Sequence, residues 1–146
     1  MNIAIGGDHA GYEYKEELKK LLTSEGYAVK DFGPADDNSC DYPDYVHPLA
    51  KSVRNLQHQF GIVICGSGNG VAMVANKHKD VRCALVWNKE LVELARQHNN
   101  ANVLAIPARF VSLEDAKTFA KTFIETEFEG GRHERRVNKI SEGLEE

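Results

Sequence analysis

Short apolar runs alternate with amphipathic segments along this chain of 146 residues, and this alternation restricts the fold more than any other feature. The apolar, largely β-branched runs are NIAI, YAVKDFG, FGIVIC, RCALVW and ANVLAI. Each has the length of a strand, and FGIVIC lacks polar alternation, as expected of a strand covered on both faces. The segments between the runs repeat apolar residues at helical spacing. The alternation predicts a three-layer, Rossmann-like α/β sandwich with a five-stranded parallel sheet and a C-terminal helix.

Capping residues and apolar spacing predict where the helices begin and end. Gly26 closes the first helix, and a second helix is expected from about Tyr45 to Leu56. Ser112 is a good N-cap for the fifth helix, with Asp115 in its first turn. The last helix falls within RHERRVNKISEG. The apolar face expected for the fourth helix consists of Leu91, Leu94, Ala95 and His98.

The composition argues against several functional classes. A net charge of −4 is unlike the basic surface that non-specific binding of nucleic acid or membrane requires. No apolar stretch reaches the roughly 18 residues of a membrane span, and the N-terminus lacks the features of a signal peptide. Cys40, Cys65 and Cys83 form no CxxC pair, and the histidines are scattered without zinc-site spacing. We therefore expect one cytoplasmic domain over residues 1–146, without a disulfide or a metal.

The stretch ICGSGNG follows the third strand, at the sheet edge where α/β proteins bind ligands. Its glycines fit either a cradle of backbone amides for an anion or a tight turn that requires positive φ. A nucleotide loop is disfavoured, because no Walker lysine follows and Asn88 occupies the position of the ribose-binding acid. A cysteine phosphatase would require an arginine at the position of Val71.

Cys65 stands at the start of this loop and admits two interpretations. A cysteine at a strand end is commonly an inert, small hydrophobic residue. Beside a helix N-terminus and a loop of amides, it also fits a thiolate base that removes a proton next to a carbonyl. Asp8 and His9, after the first strand, are either a turn with a capping aspartate or polar groups for a sugar.

Two further polar groups lie outside these loops. His98 ends the fourth helix, where a capping or core histidine is the ordinary interpretation. EGGRHERRV places Arg132 and Arg136 one helical turn apart, with Arg135 alongside. The arginines form either a solvated charge cluster or a phosphate clamp, since arginine binds phosphate through two parallel hydrogen bonds.

Five motifs, taken in order, resemble one family. They cover nearly the whole chain and are IAIGGDHAG, DYPDYV, ICGSGNGVAMVANK, ARQHNNANVLAI and EGGRHERRV. The chain resembles the type B ribose-5-phosphate isomerases, in the group that includes galactose-6-phosphate isomerases. The resemblance implies interconversion of ribose 5-phosphate and ribulose 5-phosphate through a cis-enediolate, without a metal or another cofactor.

The resemblance also implies roles for the candidate residues. Cys65 would move the proton between C1 and C2, Ser67 and the loop amides would hold the oxyanion, and His98 would open the furanose ring. The resemblance also implies a set of substrate-binding residues. His9, Arg109, Arg132 and Arg136 would bind the phosphate, and the other members would orient the sugar. The set consists of Asp8, His9, Tyr42, Gly66, Gly68, Asn69, Gly70, Asn99, Arg109, Arg132 and Arg136.

The predicted topology separates these residues. Cys65 and Asp8 follow strands and lie at the carboxyl edge of the sheet, whereas His98 and Arg132 follow helices that return the chain to the opposite edge. A strand length, about 15–20 Å, lies between the two edges. We therefore predict a homodimer with shared active sites, with further pairing into a tetramer left open.

Two alternatives remain from the sequence. The same chemistry fits a hexose 6-phosphate such as galactose or allose 6-phosphate. Galactose-6-phosphate isomerases typically combine two different subunits, so the presence of both Cys65 and His98 favours a homodimer and a pentose. The other alternative, from a different class, is a nucleotide-binding module that uses the glycine loop as a phosphate cradle.

Overall fold

Residues 1–144, the part of the chain that the computed structural model describes, contain five parallel strands. They are β1 (Asn2–Gly7), β2 (Ala28–Asp31), β3 (Phe60–Cys65), β4 (Cys83–Leu85) and β5 (Val103–Pro107). Their order across the sheet is β2-β1-β3-β5-β4, and every neighbouring pair is parallel. The predicted α/β sandwich with a five-stranded parallel sheet is confirmed.

Helices cover both faces of this sheet. In the described residues they are α1 (Tyr12–Ser24), α2 (Pro43–Arg54), α3 (Asn69–Ala75), α4 (Lys89–Gln97), α5 (Leu113–Glu125) and the C-terminal α6 (Arg132–Lys139). Helices α1, α4 and α5 pack on one face of the sheet, and α2 and α3 pack on the other. In β3, Ile62 and Ile64 join the first core, whereas Val63 and Cys65 join the second. No helix within residues 1–144 combines the length and the apolar character needed to cross a bilayer.

Two capping predictions are confirmed. The Ser112 Oγ accepts a hydrogen bond from the Asp115 backbone N–H at 3.0 Å and so begins α5. Helix α1 ends at Ser24, and Gly26 follows with φ +93°, a conformation that glycine adopts at little cost. Caps are predictable because they depend on residues close in sequence.

The structure changes the ends of several predicted elements. The run YAVKDFG, for example, gives a strand of only four residues, Ala28–Asp31. The helix expected over Tyr45 to Leu56 spans Pro43–Arg54, because proline at the first helical position sacrifices no hydrogen bond. It ends early because Leu56 has φ +61°, outside the helical region. The strand expected at RCALVW is limited to Cys83–Leu85, at the edge of the sheet.

The face that α4 buries is turned from the predicted one, which consists of Leu91, Leu94, Ala95 and His98. Val92, Ala95 and Arg96 are the buried residues. Arg96 accounts for the difference, because its guanidinium lies 4.8 Å from the ring centroid of Phe60. Its Nη1 also donates to the Ala101 carbonyl at 2.7 Å, so its charge is buried with a partner.

The order of the strands reverses between β1 and β3, because the chain continues from β1 to its neighbour β2 on one side and from β3 to the strands β4 and β5 on the other. The loops after β1 and β3 therefore leave the sheet toward opposite sides and open a crevice, the usual ligand position in this class of fold. The two strands stay paired up to Gly7 and Ile64, and the Asp8 N–H donates to the Ile64 carbonyl at 3.2 Å. The fold thus brings the loop after β1 beside the loop after β3.

Lys15 is a buried charge that the sequence pattern does not reveal. Its Nζ contacts Asp31 Oδ2 at 2.7 Å and Glu16 Oε1 at 3.0 Å, with the lysine side chain 0% exposed. Asp31 also contacts Lys19 Nζ at 2.8 Å and accepts the Gly33 N–H at 2.8 Å. The cluster joins α1 to the end of β2.

Replacing Asp31 with asparagine should lower the free energy of unfolding by about 2–3 kcal/mol at neutral pH. This loss is smaller than the loss expected when a buried ion pair is fully broken, because Glu16 still contacts Lys15. Burial alone would raise the Asp31 pKa, but hydrogen bonds from Lys15 and Lys19 outweigh it and leave the pKa below its ordinary value. This stabilisation is therefore present above the ordinary carboxyl pKa of about 3.9 and is lost as pH falls through the lower folded value.

Urea unfolding of the wild type and of Asp31→Asn at a series of pH values measures this difference. Glu17→Gln is the control. Among the ion pairs of residues 1–144, Glu17 takes part in one, with the exposed Lys20 at 3.5 Å. It should leave stability nearly unchanged. Equal losses in the two variants, or a loss for Asp31→Asn that persists at the lowest pH, would contradict the prediction.

Candidate active site

An open cavity of about 450 Å³ lies beside the carboxyl ends of β1 and β3. It is lined by Asp8, His9, Ala10, Tyr42, Cys65, Gly66, Ser67, Gly70, Arg109 and Phe110. All of these except Ala10 and Phe110 are predicted site residues. The side chains of Ala10 and Phe110 carry no acid, base or hydrogen-bonding group, so no chemical signal in the sequence marks these two residues. Each of them is, however, adjacent in sequence to a predicted site residue. The fold therefore brings together the loops after β1, β3 and β5.

Cys65 ends β3, lines this cavity and is only 5% exposed. The Gly68 N–H donates to its Sγ at 3.1 Å. Gly68 has φ +74°, and a Cβ there would collide with the Leu85 side chain. The tight turn that requires positive φ is therefore confirmed, and this turn directs the Gly68 amide at the sulfur. The cradle of amides for an anion stays a prediction.

The other two cysteines are in environments that keep them protonated. Burial raises the pKa of Cys83 strongly. Burial also raises the pKa of Cys40, and the negative charges of Asp8 and Asp41 add to that effect. Neither Cys40 nor Cys83 lines the cavity that contains Cys65.

Asp8 and His9 form one wall of the cavity. Asp8 Oδ1 accepts the N–H groups of Ala10 and Gly11 at 2.9 and 3.2 Å, so the predicted capping role is confirmed. The same carboxylate also lines the cavity. His9 Nδ1 accepts the Cys40 N–H at 3.4 Å, which leaves the Nε2 of the neutral ring to carry the proton. This wall can therefore accept hydrogen bonds from hydroxyls and donate one to an anion.

Arg109 and Tyr42 also line the cavity. The Arg109 N–H donates to the Gly66 carbonyl at 3.0 Å, which fixes the loop after β5 against the loop after β3. A Cβ at Gly70 would collide with the Tyr42 ring, so the small residue leaves room for that ring over the loop. The cavity thus combines a thiol, a carboxylate, an imidazole and a guanidinium.

The remaining predicted residues lie elsewhere. His98, Asn99 and Arg136 line a second cavity of about 410 Å³, together with His133, Val137 and Ile140. Asn69 lines a separate surface depression with Ala72 and Met73. Arg132 begins α6 on an exposed surface outside both cavities.

The two cavities share no lining residue. Asn99, in the second cavity, precedes β5, and Arg109, in the first cavity, follows it. The five residues of this strand, about 17 Å at the usual rise, therefore lie between Asn99 and Arg109. The proposed phosphate ligands are therefore divided, with His9 and Arg109 in the first cavity and Arg136 in the second.

The histidines are less scattered than the sequence indicates. The rings of His98 and His133 stack with centroids 4.2 Å apart, because the segment after α5 returns to the end of α4. Glu129 lies beside both of them. Burial, with the positive charges of His98 and Arg132, lowers the pKa of His133. Sequence reasoning missed His133 as a neighbour of His98, since this contact depends on the path of the chain.

Comparison with known proteins gives one consistent family. The family model described as Ribose/Galactose Isomerase matches residues 3–140. A probable ribose-5-phosphate isomerase B of Mycoplasma pneumoniae is 44% identical over 139 residues, which cover 94% of this chain and 91% of that protein.

Solved structures agree with this result. A ribose 5-phosphate isomerase from Thermotoga maritima has a TM-score of 0.94 at 43% identity, with 97% of each chain covered. Ribose-5-phosphate isomerase B from Mycoplasma genitalium, solved with bound ribulose-5-phosphate, has a TM-score of 0.91 at 43% identity and covers 95% of this chain and 93% of that one. Since the family model and these relatives match nearly its whole length, the chain belongs to the ribose/galactose isomerase family.

Proposed function

We propose that this chain is a cytoplasmic aldose–ketose isomerase that interconverts ribose 5-phosphate and ribulose 5-phosphate. The observation that carries the proposal is the position of Cys65. Its sulfur accepts a hydrogen bond from the Gly68 amide, inside a cavity that Asp8, His9 and Arg109 also line. A thiolate beside backbone amides suits proton abstraction next to a carbonyl. The Mycoplasma genitalium relative that was solved with ribulose-5-phosphate supports this class of substrate.

In the proposed reaction, the Cys65 thiolate removes the proton from C2 of the open-chain aldose. The electrons of the C2–H bond form the C1=C2 double bond, and O1 takes up the negative charge of the enediolate. Ser67 and the loop amides of Gly66 to Gly70 hold that charge. Transfer of the proton from O2 to O1, together with return of the abstracted proton from Cys65 to C1, gives the ketose, so the reaction is balanced without a co-reactant.

The proposed active form is a homodimer in which each site combines the Cys65 cavity of one subunit with the His98 cavity of the other. Neither cavity alone contains both groups. Across the subunit boundary, His98 opens the furanose ring and Asn99 orients a hydroxyl group. The phosphate is bound by Arg132 and Arg136 together with residues of the first cavity, and pairing of dimers into a tetramer is compatible with this arrangement.

The ratio of kcat/KM for ribose 5-phosphate and allose 6-phosphate tests the substrate. A higher value for ribose 5-phosphate is expected, and a preference for allose 6-phosphate would favour the hexose alternative.

Calorimetric titration with ATP and NAD tests a nucleotide-binding module, for which saturable binding without isomerase activity would be required. Asn88 already caps α4 by accepting the Leu91 N–H at 2.9 Å, so no binding is expected.

Arg136→Ala should raise KM for ribose 5-phosphate by about 10- to 100-fold, the value of one charged hydrogen bond, with a smaller change in kcat. Steady-state kinetics with ribose 5-phosphate and with unphosphorylated ribose measure the effect. Arg135→Ala is the matched control, because Arg135 lies on the same helix but faces a different surface, with Glu134 and Asn138. Equal losses with both sugars would contradict a phosphate-binding role.

A further inference from the structure

Three metal-ligating side chains lie together outside the Cys65 cavity. Among residues 1–144, His98, Glu129 and His133 form a cluster whose ligand atoms all lie within 4.8 Å of one another. Glu129 Oε1 is 3.8 Å from His98 Nε2 and 3.7 Å from His133 Nε2. One carboxylate oxygen therefore faces two imidazole nitrogens, although sequence spacing gives no zinc motif.

Backbone contacts hold the three residues in place. The Glu129 N–H donates to the Gln97 carbonyl at 3.0 Å, one residue before His98. The His133 N–H donates to the Gly130 carbonyl at 3.0 Å. Arg96 Nε donates to the Thr126 carbonyl at 3.0 Å, so the buried guanidinium also ties this segment to α4. These contacts tie the segment that carries Glu129 and His133 to the end of α4.

The two imidazole rings must change orientation to share an ion. They are stacked, with an angle of 13° between their planes, and parallel rings cannot both direct an in-plane lone pair at one point. The His98 side chain is 38% exposed and can turn, whereas the His133 side chain is 12% exposed. Two imidazoles and a carboxylate are a ligand set that suits Zn²⁺, at distances of about 2.0–2.2 Å.

We propose that His98, Glu129 and His133 bind one divalent cation of the zinc class, with the fourth ligand position open to the second cavity. Arg136 lines the same cavity, and its positive charge opposes a cation, so binding should be reversible rather than structural. We infer further that the ion inhibits isomerisation, because it occupies the nitrogen of His98. This second part rests on the proposed function, which assigns ring opening to His98.

Binding is tested directly with Zn²⁺ in competition with a chromophoric chelator, and with Co²⁺ through its visible absorption. The chain should carry His47→Asn, because His47 Nδ1 and His78 Nε2 lie 2.7 Å apart and offer a second pair of imidazoles. One equivalent of Zn²⁺ should bind, and Glu129→Gln should weaken binding at least about tenfold. Glu134→Gln, an exposed change on α6, should have no effect. No binding, or binding that is insensitive to Glu129→Gln, would overturn the site.

Two further measurements distinguish binding at this site from binding at the Cys65 thiol, and a failure of this proposal from a failure of the proposed function. Cys65→Ala should bind Zn²⁺ as the parent chain does, whereas loss of binding in that variant would overturn the site in favour of the thiol. Zn²⁺ should inhibit turnover of ribose 5-phosphate reversibly, and Glu129→Gln should keep its metal-free turnover and resist inhibition. Binding without inhibition would overturn the second part. A metal-free chain that does not isomerise ribose 5-phosphate would instead overturn the proposed function and leave the binding result intact.

Discussion

Replacing Cys65 with alanine is expected to abolish isomerisation while leaving the affinity for ribose 5-phosphate nearly unchanged. The thiolate is the proposed base, and loss of a positioned acid–base group costs about 10²- to 10⁴-fold in rate. In the proposed site, other side chains bind the sugar and the phosphate, so KM should change little. Steady-state kinetics measure the rate, calorimetry measures substrate binding, and exchange of the substrate C2 proton in D₂O reports on proton transfer itself.

Cys65→Ser and Cys83→Ala are the controls for this result. The serine variant replaces only the sulfur atom by an oxygen and should also be inactive, because a hydroxyl is a far weaker base than a thiolate. Cys83 packs against the same core as Cys65 but lies outside the cavity, so its removal should affect stability more than turnover. Alkylation of the wild type should inactivate it, with protection by substrate. Rates near those of the wild type for Cys65→Ala would contradict the assignment of the base.

The layers of the fold could be predicted from the sequence because they depend on local periodicity. The uninterrupted apolar run of β3 predicts a strand buried on both faces, and its side chains do alternate between the two cores. Ser112 and Gly26 predict helix ends because capping involves neighbouring residues. The position of Cys65 at the carboxyl edge follows from the direction of that strand.

Other features depend on contacts between distant parts of the chain. Lys15 looks like a solvated helix residue in sequence, but Asp31 reaches it from β2 and makes its burial possible. Arg96 is similar, because the aromatic rings beneath it come from other elements. The contact between His98 and His133 requires the return of the segment after α5. No periodic pattern carries this information.

The division of the predicted site residues is the feature with the largest consequence for activity. The sequence order of strands and helices already indicates that Cys65 and His98 lie at opposite edges of the sheet. The two cavities in the structure are lined by separate residues, in agreement with that argument. If Cys65 and His98 act on one small sugar, as proposed, two subunits must contribute to each site.

Mixing inactive Cys65→Ala chains with inactive His98→Ala chains should therefore restore activity. In a heterodimer, one composite site carries both substitutions and the other carries neither. Random exchange makes about half of the dimers heterodimers, so about a quarter of all sites and of the wild-type specific activity should return. Mixing Cys65→Ala with Cys65→Ser should restore nothing, since both substitutions fall in the same cavity. Native mass spectrometry with two differently tagged chains measures the extent of exchange, and no recovery in a sample that has exchanged fully would show that each subunit works alone.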